Sequence, residues 1–134
     1  MPTLEFRSQY RYDHAESGIT VPIELAYGAD RIKLQAKVDT GAEFCLFQRG
    51  FGEALGINIE GGERRTLVTM NGSFVAFGHR LSMRVLDFDF ELTAFFPESP
   101  DIRRNLLGRQ GWLLQVRFGV VDYDQRLYVS RYDD

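Results

Sequence analysis

Residues 31–43 read Arg31-Ile32-Lys33-Leu34-Gln35-Ala36-Lys37-Val38-Asp39-Thr40-Gly41-Ala42-Glu43. Up to Val38 the stretch alternates without a break. Ile32, Leu34, Ala36 and Val38 fall on one side, and Arg31, Lys33, Gln35 and Lys37 on the other. A period of two with one apolar side marks a half-buried β-strand. The alternation stops at Asp39, so a carboxylate stands where the strand enters a turn, and Gly41 permits close backbone approach there. Carboxylates on loops held by rigid strands are frequent catalytic groups. Asp-Thr-Gly or Asp-Ser-Gly by itself recurs by chance in roughly one chain in fifteen of this length. A polar turn capping the strand is the plain alternative.

Upstream, residues 19–26 repeat the pattern, with Ile19, Val21, Ile23 and Leu25 on one face, and Tyr27-Gly28-Ala29-Asp30 reads as the hairpin turn between the two strands. Downstream, Arg65 to Leu81 holds a second hairpin with Asn71-Gly72 as its expected turn, because both residue types tolerate positive φ. A third set covers Arg80–Phe90 and Glu91–Phe96, where Leu86, Phe88 and Phe90 alternate with acids. The chain closes with strands at Val116–Val121 and Arg126–Ser130, joined at Asp122-Tyr123-Asp124-Gln125. Helix is scarce: one short segment at 49–56, ended by Gly56, and a second expected near Gly108 that carries Trp112, Leu113 and Leu114. Residues 1–17 read as an N-terminal extension with an added strand at Leu4–Tyr12, and residues 18–134 as the domain.

Bulk composition fits this all-β reading. The 134 residues suit one domain, and 11 Phe, 6 Tyr and 13 Gly favour strands and tight turns over a helical bundle. The net charge of −3 argues against a nucleic-acid partner, and the pairs Arg64-Arg65 and Arg103-Arg104 read as solvated surface. No apolar run resembles a signal peptide or a membrane span. The single cysteine, Cys45, excludes an intrachain disulfide, reads as a core residue and suits a reducing compartment. A cytoplasmic location, with no membrane partner, is the expectation. His14, His79 and Cys45 show no metal-ligand spacing, Gly50-Phe51-Gly52 lacks the setting of a nucleotide loop, and Asp122 and Asp124 do not fit a calcium loop. No cofactor and no metal are expected. Nothing near Cys45 supports a nucleophile pair with histidine.

A second motif gives Asp39 its context. Asn105-Leu106-Leu107-Gly108-Arg109 places an apolar pair before glycine and arginine. Together with Val38-Asp39-Thr40-Gly41-Ala42, this segment resembles the aspartic peptidases of retroviral type, the retropepsin-like family with its small bacterial relatives. The resemblance runs from about Gly18 to Tyr128 and includes the strand pair before the first motif, the hairpin between the motifs and the segment after Gly108. It implies an acid-protease barrel half, a closed β-barrel with one or two short helices, that works as a homodimer on a peptide or protein substrate.

By that resemblance Asp39 is the catalytic acid. Thr40 hydrogen-bonds across a two-fold axis and Gly41 offers its carbonyl to substrate. Glu43 contacts the substrate backbone, and Arg109 pairs with Glu43; the alternative is that Arg109 is an ordinary surface side chain. The hairpin tip Met70-Asn71-Gly72-Ser73 corresponds to a flap that closes over the peptide, or else is a plain exposed turn. Asn71-Gly72-Ser73 also spells a glycosylation sequon, which has no force without a secretory signal. Ala42 stands where many two-domain relatives carry a hydroxyl donor, so a less acidic pH optimum is expected.

One Asp-Thr-Gly supplies one carboxylate, whereas a shared-proton dyad requires two. A second copy must supply the other. The rival reading keeps the fold and drops the chemistry, giving a catalytically weak or inactive peptide-binding or dimerisation module. The chain is also longer at both ends than compact viral enzymes. Arg117–Arg131 is therefore expected to form a local hairpin instead of interleaving with a partner.

Overall fold

The alternation that ends at Asp39 folds as expected. The computed structural model describes residues 1–134. In it β2 (Thr20–Tyr27) and β3 (Asp30–Val38) form an antiparallel hairpin with Tyr27 opposite Asp30 and Ile23 opposite Leu34. Only Gly28 takes a positive φ in the two-residue loop (58°), the sign pattern of a type II′ turn. Val21, Ile23, Leu25, Leu34 and Ala36 are buried, so the predicted apolar face is the core face.

The remaining strands are β1 (Ser8–Arg11), β4 (Glu63–Thr69), β5 (Gly72–Val85), β6 (Phe88–Pro97), β7 (Leu106–Leu107), β8 (Val116–Val121) and β9 (Arg126–Arg131). The one α-helix is α1 (Arg49–Ala54), followed by Gly56 at φ 80°. The larger sheet runs β4-β5-β2-β3-β7, with β6 also on β5. Strand β5 organises it. Residues 72–78 pair with β4 and 82–85 with β2 along one edge, while β6 takes ten consecutive pairs along the other. The smaller sheet, β1-β9-β8, joins the predicted C-terminal hairpin to a strand from the N-terminal segment.

The named strands alone leave the larger sheet unclosed, and Leu46 bridges β7 at Leu106 and β6 at Phe95. The outermost strands of the larger sheet's main path, β4 and β7, do not pair, and β7 is only two residues long. The two sheets enclose a core of 24 buried residues.

Three local expectations shift. The third hairpin turns at Leu86-Asp87, not at Phe90-Glu91, because Leu86 adopts a left-handed φ of 53° and Val85 pairs with Phe88. The β4–β5 loop is Met70-Asn71, with Thr69 opposite Gly72. There the Thr69 hydroxyl accepts from the Asn71 amide (3.3 Å) and donates to the Gly72 carbonyl (3.1 Å), which fixes the turn one residue earlier than Asn-Gly would. The helix expected after Gly108 shrinks to a 3₁₀ turn at Leu113–Gln115, since Gly111 (φ 108°) interrupts any helical run.

Trp112 anchors that segment. It is fully buried and stacks toward Phe118 at 6.4 Å, but its indole N–H has no partner. Trp112→Ala is expected to cost about 3–5 kcal/mol in urea unfolding. Trp112→Phe should cost far less, because it also removes a buried unpaired donor.

Candidate catalytic site

Asp39 is held from both sides by one piece of chain. On the first side β7 runs parallel to the end of β3, with Val38 beside Leu107. The Lys37 amide donates to the Asn105 carbonyl (2.8 Å), and the Asp39 amide to the Leu107 carbonyl (3.0 Å). On the second side the same piece bonds the chain that follows the turn. Leu106 and Leu46 exchange amide–carbonyl bonds of 2.7 and 3.1 Å, the Arg109 amide donates to Ala42 O (2.9 Å), and the Gln110 amide donates to Glu43 O (2.8 Å). Residues 105–110 therefore pass between the two limbs of the Asp39 loop and clasp it.

This crossing explains Gly108. A Cβ there would lie 2.2 Å from the Phe44 carbonyl oxygen and 2.8 Å from that of Ala42. Only glycine lets the two backbones approach so closely. Beneath the crossing sits Cys45, fully buried, its sulfur accepting from the Gly108 amide at 3.4 Å. Burial pushes the Cys45 thiol up to about 12, the Gly108 amide opposing this only in part, so the group is a neutral core thiol at physiological pH.

Asp39 is partly exposed, and its Oδ1 accepts the Gly41 amide at 2.9 Å. The Ala42 amide closes the turn onto the Asp39 carbonyl (3.2 Å). The turn thus orients the carboxylate with backbone groups alone. The Thr40 side chain is exposed and makes no hydrogen bond within the chain.

The expected Arg109–Glu43 ion pair is absent. Both side chains are exposed, and neither has a salt-bridge partner. The two residues are brought to one place by their backbones, and with Gly41, Gln110 and Leu114 they line a cavity of about 310 Å³. In solvent an exposed pair gains too little to hold two long side chains in one geometry.

The hairpin Met70-Asn71-Gly72-Ser73 projects from β4 and β5 with its tip exposed. Its base is tied to the Asp39 loop by a small second core. Leu46, Ala76 and Phe95 are buried there, with Phe44, Leu67, Phe74 and Leu106 packed around them. Phe44 was not singled out from the sequence, yet it links loop and hairpin. Its ring packs tilted against Phe95 with centroids 4.6 Å apart, and the Arg65 guanidinium lies 5.3 Å from its ring centre. An aromatic directly after the acidic residue of the loop was the available signal.

No helix is long and apolar enough to cross a membrane. No protein-family model matches the chain, and no curated protein matches it either. Among solved structures it is similar to a retropepsin-like aspartic protease from Rickettsia conorii, at a TM-score of 0.61 and 20% identity over 92% of this chain and 97% of that one.

Proposed function

We propose that this chain, which carries the retropepsin-like fold, is an aspartic endopeptidase whose active site is built from two copies, each contributing Asp39. The observation that carries the reading is the clasp of residues 105–110 around the Asp39 loop. It holds the Asp39 carboxylate in a turn stiffened by backbone hydrogen bonds, as a preorganised acid–base group requires.

Two such carboxylates facing each other across a two-fold axis cannot both ionise easily, so the pair holds one proton and titrates as a unit. The ionised member takes a proton from a water molecule, whose oxygen attacks the scissile carbonyl carbon. The protonated member donates to the carbonyl oxygen. Collapse of the tetrahedral intermediate breaks the C–N bond, and the proton taken from water passes to the leaving nitrogen. One hydroxyl of the intermediate returns its proton to the other aspartate as the carboxylic acid forms. Thr40, with its free hydroxyl, is the residue to bond across the axis. Gly41, Ala42, Glu43 and Arg109 form the substrate-facing rim of the loop, and Met70-Asn71-Gly72-Ser73 the flap. Bound peptide lies extended between flap and loop, held by main-chain hydrogen bonds. The compartment proposed is the cytoplasm, where Cys45 stays reduced.

The test is hydrolysis of an unbiased peptide library over about pH 3 to 8 at several protein concentrations. Expected are cuts within extended peptides, a specific activity that rises with protein concentration, and an optimum on the less acidic side because Ala42 offers no hydroxyl to the dyad. Peptide binding without any cleavage across that range would favour the inactive binding module instead.

A further inference from the structure

A second cavity adjoins the one beside the Asp39 loop at Gln110. Gln110 and Leu114 line both, and this second, larger cavity of about 390 Å³ extends along the outer face of β4, β5 and β6. The Phe44–Phe95 pair lies in it, and Arg65, Arg80, Glu91 and Thr93 line its length. Register places these groups together: Arg80 stands opposite Thr93, and Arg65 opposite Ala76 two pairs further along the same face. Leu114, a large apolar side chain 63% exposed, borders both cavities.

The charges along this trough are not equivalent. Arg65 is engaged twice, by Glu63 at 3.0 Å and by the Phe44 ring. Glu91 accepts the Ser82 hydroxyl at 2.5 Å. Arg80 is exposed and has neither an ion-pair nor a hydrogen-bond partner. The group left uncommitted in the trough is therefore a guanidinium.

We propose that this trough is an accessory subsite for the peptide substrate, in which a flanking segment remote from the scissile bond lies along Phe44 and Leu114 and places an acidic side chain on Arg80. The inference rests on the peptidase reading for its occupant, because the trough adjoins the cavity at Gly41 and Glu43 and shares Gln110 and Leu114 with it. An extended chain advances about 3.3 Å per residue, so a flank of a few residues spans the distance from one cavity to the next. The carboxylate–guanidinium contact, made near solvent, selects among substrates more than it tightens binding.

The test uses labelled peptides of about 12 residues that share one apolar centre and carry Glu, Ser or Lys flanks at either end. Binding to the Asp39→Asn protein is measured by fluorescence anisotropy at low salt, with and without Arg80→Glu. Expected is about fivefold tighter binding of the Glu-flanked than of the Lys-flanked peptide, reversed by Arg80→Glu and weakened by salt. Equal affinity for the two flanks, or a preference that Arg80→Glu leaves in place, overturns the subsite. Self-association that Arg80→Glu disrupts, with peptide preference unchanged, assigns the trough to a second copy and overturns it as well. Cleavage is read separately with the wild-type protein. Failure to hydrolyse any peptide counts against the peptidase reading, whereas the flank preference is decided by binding alone.

Discussion

Exchanging Asp39 for asparagine is expected to lower peptide hydrolysis on the order of 10³-fold or more while leaving the fold in place. The two halves of this expectation come from different atoms. Asparagine can neither accept the proton of the attacking water nor share one with its counterpart, so the chemical step loses its general acid and base. Its side-chain oxygen can still accept the Gly41 amide that Asp39 Oδ1 accepts at 2.9 Å. The loop keeps its turn, at the cost of a charge-assisted bond becoming a neutral one. Urea unfolding of Asp39→Asn should therefore stay within about 1 kcal/mol of wild type. Retained hydrolysis by a correctly folded Asp39→Asn protein would remove Asp39 from the chemistry.

Gly108→Ala is expected to be the most damaging single-methyl change in the chain, destabilising it by about 3 kcal/mol or more. The added carbon would meet Phe44 O at 2.2 Å, Phe44 C at 2.7 Å and Ala42 O at 2.8 Å. These are backbone atoms, so no side-chain rotation relieves the clash. Relief requires residues 105–110 to lift away from the loop, which breaks the Arg109–Ala42 and Gln110–Glu43 hydrogen bonds and loosens Asp39 with them. Gly50→Ala is the control: it lies in α1 with nothing within 4 Å of the new carbon. Alanine there should stabilise by roughly 0.5–1 kcal/mol. Equal unfolding midpoints for the two variants would contradict the crossing as the support of the site.

The parts of the fold legible in the sequence are those where one face meets core and the other water. Ile23, Leu25, Leu34 and Ala36 declared β2 and β3 because burial of alternate residues leaves no other register. Asp39 and Gly108 were legible as a pair through family resemblance, and the structure brings their segments into hydrogen-bonded contact.

Turn placement was less legible, because it is decided by bonds the pattern does not carry. Thr69 draws the β4–β5 loop onto Met70-Asn71 through its own hydroxyl. Leu86 occupies a left-handed conformation that its side chain disfavours, so nothing in its identity announced a turn. The Arg109–Glu43 pair failed for a different reason. Proximity of two backbones does not commit two exposed side chains to each other when water competes for both. Arg80 was illegible as a site neighbour because only the pairing of β4, β5 and β6 sets it in one cavity with Phe44.

That one active site is shared by two copies of Asp39 is tested most directly by subunit mixing. Wild-type protein is equilibrated with an equal amount of Asp39→Asn protein, at concentrations that favour association, and hydrolysis is measured per wild-type chain. If catalysis needs both carboxylates, half of each wild-type chain's partners are inactive, and activity per wild-type chain falls to about half. Activity per wild-type chain that is unchanged by any excess of Asp39→Asn protein would show that a single chain suffices, and would contradict a dyad built across two copies.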